Sequence, residues 1–163
     1  DMDLIWGKKT EKWFVGAAKN GNIYIFSPKV FTKISNHKKE DFWQILKHEY
    51  CHIYYTQLNN SHYPYWLNEG LACYLSGKEL IINEKLMEKI TNIIAYYDKI
   101  DSDVYSVGQF WVELLLKKFG KAKFKQIIKS NKKISKSGFA SRFYKIYGLK
   151  FNKKNLFQLI DEK

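Results

Sequence analysis

Arginine is almost absent from this 163-residue chain: of 28 basic residues only Arg142 is not a lysine. Sequence-specific readers of nucleic acid favour the bidentate arginine fork, so its scarcity weighs against base recognition. Cysteine is equally scarce. Two cysteines, Cys51 and Cys73, cannot build a disulfide framework. They form one bridge or stay as two buried thiols, and the second alternative favours a reducing, cytoplasmic setting. Two prolines and nine glycines exclude collagen-like and linker compositions. Long apolar runs are missing too; Lys117 and Lys118 close the longest candidate, around Leu114–Leu116, so no transmembrane segment is expected. No charged-then-apolar leader stands at the start, and because the chain opens Asp1-Met2, earlier removal of a signal is compatible with it.

Apolar and aromatic side chains are plentiful. At 45% hydrophobic, with 12 Tyr, 11 Phe and 5 Trp, the chain can bury a core, which excludes intrinsic disorder. Its length suits a single domain spanning 1–163. The net charge of +12 is unevenly placed. Residues 1–113 are nearly neutral, whereas residues 114–160 carry 14 basic side chains and no acidic one. This basic helical third either attracts an anionic partner (nucleic acid, anionic lipid or acidic polymer) or is a solvated lysine surface.

The N-terminal part reads as sheet. Trp13–Ala18 and Ile23–Phe26 flank Asn20-Gly21, a turn dipeptide suited to positive φ at both central positions, and Ser27-Pro28 ends the second strand. The remainder reads as helix. Apolar residues recur at helical spacing from about Lys39 to Leu58 and from Trp66 to Leu75. Asn83 caps a stripe of Leu86, Ile90, Ile93, Ile94 and Tyr97. A further helix runs through Val107–Leu115 and closes at Gly120, and short basic helices follow around Phe124–Lys129, Phe139–Tyr147 and Asn155–Asp161. The expected class is α+β: a small antiparallel or mixed N-terminal sheet, then helices.

His48-Glu49-Tyr50-Cys51-His52 has the form H-E-x-x-H within the first long helix. Four residues advance a helix by about 400°, so His48 and His52 share a face and can bind one metal, with Glu49 roughly 80° to one side as a non-ligating base. The alternative is an amphipathic helix with two packed or solvated histidines, and a third ligand decides between them. Glu69 is that candidate: it is a lone carboxylate on the apolar helix Trp66–Leu75, where an unpaired buried charge is costly. Two histidines, one carboxylate and an open fourth position form the catalytic rather than the structural zinc pattern, with one zinc per chain. His37 and His62 read as surface residues.

H-E-x-x-H followed by Trp66-Leu67-Asn68-Glu69-Gly70, with sixteen residues between His52 and Glu69, resembles the gluzincin metallopeptidases, including aminopeptidase-like and compact members. Softer likenesses are the strand Ile23–Phe26, the helix opening near Tyr105 and closing at Phe119-Gly120, and Phe143–Gly148. The resemblance, over roughly residues 13–160, implies a zincin-like fold and zinc-dependent hydrolysis of a peptide or protein substrate. His48, His52 and Glu69 are then the ligands, Glu49 the general base, and Tyr105 the oxyanion donor, unless Tyr105 is simply core. It also implies that an extended substrate pairs with the Ile23–Phe26 strand. Two departures stand out. Cys73 occupies the place where thermolysin-like members carry an aspartate that orients a zinc histidine. No glycine-rich aminopeptidase segment precedes the motif, so endopeptidase action is favoured. The competing expectation is a non-catalytic module of the same fold that holds anionic partners on its basic third.

Overall fold

The computed structural model describes residues 14–129 and 134–161, together with 3, 7 and 9. It is mostly helical with one two-stranded antiparallel sheet, so the α+β class holds at that level. Strands β1 (Gly16–Lys19) and β2 (Asn22–Ile25) pair with Gly16 opposite Ile25 and Lys19 opposite Asn22. Asn20 and Gly21 turn the hairpin at φ 52° and 76°, as the dipeptide predicts. Trp13, the expected start of the first strand, lies outside the described residues; Val15 still accepts a ladder bond from Phe26 N at 3.0 Å. After Ser27 comes a 3-10 turn, Pro28–Val30, and a single-turn helix α1 (Phe31–Ile34), neither of which the sequence pattern signals.

Helix α2 (Phe42–Asn59) follows a tighter 3-10 turn at Lys39–Asp41, so the helix expected from Lys39 starts one turn later. It ends at Asn60 in the left-handed region, φ 51°. Tyr55 Oη and Asn59 Nδ2 both donate to the Tyr63 carbonyl, at 3.2 and 2.7 Å, and turn the chain into helix α3 (Tyr65–Ser76). Gly77, at φ 77°, stops α3, and Lys78 N donates back to the Cys73 carbonyl at 3.1 Å.

Asn83 caps helix α4 (Glu84–Ile90) as expected, accepting from Leu86 N at 2.9 Å. The stripe does not continue as one helix to Tyr97, because Ile93–Tyr97 forms a 3-10 turn. The Ile90 carbonyl shows why. It accepts the indole N–H of Trp111 at 2.9 Å, where a continuing helix would bond it to Ile94 N. Helix α5 (Asp103–Ile128) kinks at Gly120 (φ 77°, ψ 168°), the expected end point, and Phe124–Ile128 form its far segment. Helices α6 (Lys136–Tyr147) and α7 (Lys153–Asp161) complete the chain. No helix among the described residues is long and apolar enough to cross a membrane.

Helix α3 is central, packed on α2 along one side and most extensively on α5 along the other. Two glycines permit that second contact. A Cβ on Gly70 would lie 2.2 Å from the carbonyl carbon of Gly108, and one on Gly108 would lie 2.1 Å from the Trp66 carbonyl oxygen. Backbone therefore meets backbone beside Glu69. Trp66, Leu67, Trp111 and Leu115 are fully buried around the crossing. The last helices place Phe139, Phe143 and Phe151 in an aromatic layer against Trp66, with the Trp66 and Phe151 rings stacked 6.3 Å apart. Lys136, Lys145, Lys150, Lys153 and Lys154 remain exposed. Gly108→Ala is expected to cost about 1–3 kcal/mol through overpacking, because backbone and not a flexible side chain must move. Urea denaturation checks it, and an unchanged midpoint would contradict the contact.

Candidate active site

The helical period brings His48 and His52 to one face of α2, their rings edge-on with centroids 4.7 Å apart. Glu69, buried on α3, meets them across the helix interface. Its Oε2 lies 3.2 Å from His48 Nε2 and 3.4 Å from His52 Nε2. One ligating atom from each of the three residues falls within 4.8 Å of the others. Zinc held tetrahedrally at 2.0–2.1 Å separates its donors by about 3.3 Å, and the two carboxylate–imidazole spacings match that separation.

Supporting contacts set which ring nitrogens face inward. His52 Nδ1–H donates to Asn68 Oδ1 at 2.9 Å, which turns Nε2 toward Glu69. Asn68 is itself buried, and its Nδ2 faces the His62 carbonyl at 3.5 Å. His48 Nδ1 has a weaker neighbour, the Cys73 thiol at 3.9 Å. Burial pushes the Cys73 pKa up to about 12, so it stays a neutral thiol, and both cysteines are free.

Glu49 packs against β1. Its carboxylate accepts a hydrogen bond from Ala18 N–H, and a Cβ at Gly16 would lie only 3.2 Å from Glu49 Cγ. Burial raises the Glu49 pKa, aided by the Glu69 charge and opposed by His52, His48 and the Ala18 amide. This moves the group toward the range where a carboxylate exchanges protons near neutrality. Tyr105, in the first turn of α5, stands with its ring 5.9 Å from that of His48. Burial, then the charges of Glu69, Cys73 and Glu49, holds its phenol above the ordinary value and therefore protonated.

The five residues singled out from the sequence (His48, Glu49, His52, Glu69 and Tyr105) thus lie together. His37 and His62 do not join them: His37 pairs with Asp41 at 3.5 Å, and the His62 side chain is exposed. Glu49 meets the backbone of β1, and the Ile23–Phe26 segment, expected to pair with substrate, supplies the neighbouring strand. Sequence reasoning also passed over Asn68, although it directly precedes Glu69, and the backbone amide of Ala18, which leaves no mark in a sequence. No family profile, curated protein or solved structure matches the chain.

Two outcomes follow for the ligand set. Asn68→Ala is expected to weaken zinc binding by about 10–100-fold while the fold persists, since it frees the His52 ring to turn; competition with a chelator measures it. The second concerns protein stripped of metal. Burial disfavours the His52 cation, but Glu69, Glu49 and Asn68 more than offset this and hold its pKa at about 9 against an ordinary 6.5. Burial likewise opposes the Glu69 charge, and the two histidines win, bringing it to about 2 from 4.5. Stability from the raised His52 is complete below 6.5 and disappears as pH rises through about 9. Stability from the depressed Glu69 is present above 4.5 and disappears as pH falls through about 2. The stripped protein's melting temperature should therefore decline between pH 6.5 and 9, and Glu69→Gln should flatten that decline.

Proposed function

We propose that this chain is a zinc metallopeptidase of the gluzincin kind, with a zincin-like fold, that hydrolyses internal peptide bonds of an extended substrate. The observation that carries the reading is the convergence of His48, His52 and Glu69 from two helices, with ligating atoms within 4.8 Å of one another and the partly buried Glu49 beside them and outside the ligand set. Zinc held by these three residues supplies a Lewis acid that polarises the scissile carbonyl and acidifies a water molecule.

The chain's own groups cover the remaining tasks. Glu49 accepts the proton from the attacking water and returns it to the leaving amine. Its Ala18 hydrogen bond fixes the carboxylate against β1. Tyr105 keeps its proton and offers a donor to the oxyanion that forms on the substrate. Asn68 holds the His52 ring.

The substrate lies along β1. Val15 and Phe26 share a ladder bond, so alternate residues Ala17 and Lys19 point their backbone groups to β2. Those of Gly16 and Ala18 point to the opposite edge, where Ala18 meets Glu49 and where no further strand pairs among the described residues. An extended peptide added there gains main-chain hydrogen bonds next to the base. The competing role, a module that only holds anionic partners on its lysines, leaves the buried Glu69 and its two histidines without a purpose. Glu49→Gln is expected to abolish peptide cleavage by the purified protein, by at least about 100-fold, while zinc affinity stays within a few-fold. Undiminished cleavage by that variant sinks the proposal.

A further inference from the structure

Lys78 stands apart from the other lysines. Most of the surplus positive charge lies in residues 114–160, whereas Lys78 sits directly after the helix that carries Glu69. Its backbone is clamped at both ends. Lys78 N donates to the Cys73 carbonyl at 3.1 Å, and its own carbonyl accepts Gln109 Nε2 at 2.7 Å. Gln109 is buried in α5, and its Nε2 is shared with Glu113 Oε1 at 3.0 Å. A flexible lysine on a fixed backbone sweeps a small volume, and here the side chain returns over the site.

Lys78 Nζ lies 5.3 Å from the centroid of the Tyr105 ring, whose own centroid is 5.9 Å from the His48 ring. The ammonium also acts on Cys73, the neighbour of His48. It makes no ion pair among the described residues. A cation resting on the face of a tyrosine is held in place by the ring quadrupole while keeping its N–H donors for another group. An extended peptide advances about 3.3–3.6 Å per residue, so the side chain of a residue one or two places from the scissile bond spans the gap from the metal ligands to this ammonium.

We infer that Lys78 is a specificity-determining residue that selects substrates with an acidic side chain close to the cleaved bond. This rests on the peptidase reading and adds the chemical class of the substrate. The ligands and the base leave that choice open, because His48, His52, Glu69 and Glu49 serve the reacting carbonyl rather than the flanking side chains. Lys78 is the positive group whose place over Tyr105 gives it a view of those flanks. An acidic neighbour in the substrate gains a charge-assisted hydrogen bond there, and a basic neighbour meets repulsion.

The test separates this inference from the peptidase reading by measuring binding instead of turnover. Zinc-loaded protein is titrated with peptide hydroxamates, which chelate zinc directly, in matched sets bearing Glu, Gln or Lys beside the chelating group. The expected result is about ten-fold tighter binding of the Glu probe than of the Gln probe. That preference should disappear in Lys78→Met and turn toward the Lys probe in Lys78→Glu, with zinc content unchanged in both variants. Equal binding of Glu and Gln probes, or a preference that survives Lys78→Met, overturns the inference while leaving the metal site intact. If no hydroxamate binds a zinc-loaded protein, the peptidase reading fails and the inference falls with it.

Discussion

A carboxylate taken out of water has to be met by positive charge or by a metal, and most of this structure serves that requirement at Glu69. The side chain is 7% exposed on a helix that is otherwise apolar, so its ionised form would be costly if left alone. Two histidines from α2 meet it at 3.2 and 3.4 Å. The crossing that brings them together is fixed from behind, where Gly70 and Gly108 let α3 and α5 touch through their backbones. Trp66 and Leu67, one turn earlier on α3, anchor the same helix in the core. Packing and ligation are therefore properties of one element. A metal that binds only the folded arrangement adds its binding energy to the stability of the fold.

How much of this was legible before the structure depends on whether the signal is local. His48, Glu49 and His52 could be placed because the helical period alone puts them on adjacent faces. Glu69 could be placed because a charge in an apolar helix is an anomaly that asks for a partner. The hairpin was visible in Asn20-Gly21, and the break at Gly120 in its glycine. Other features depend on contacts between distant segments. The break after Ile90 is made by an indole 21 residues away, so the continuous stripe of Leu86 to Tyr97 misled. Asn68 gains its role only because α2 and α3 cross where they do. The choice between β1 and β2 as the strand beside the site turns on one backbone amide, and alternation of side chains does not encode it. The pairing of Gly70 with Gly108 is likewise invisible until the helices are docked.

The environment of the site is unequal on its two sides. His52 is oriented by a carbonyl oxygen at 2.9 Å, whereas His48 has only a neutral thiol at 3.9 Å. A thiol does not fix the tilt of an imidazole as a hydrogen-bonding oxygen does, so His48 is the less constrained of the two ligands. Glu49 is held on the other flank by β1 and not by a side chain. The chain thus builds its site from a short sheet and three helices, with a helical base layered on aromatic rings and coated in lysine.

The central claim is that His48, His52 and Glu69 form a single zinc site. Its most direct test is metal analysis combined with X-ray absorption at the zinc edge, on protein purified without added metal or a histidine tag, beside a His52→Ala control. The account predicts about one zinc per chain, coordinated by nitrogen and oxygen with no sulfur, and lost in the control. A protein that carries no metal and takes up none on adding zinc would contradict it, as would a zinc whose first shell contains the sulfur of Cys51 or Cys73.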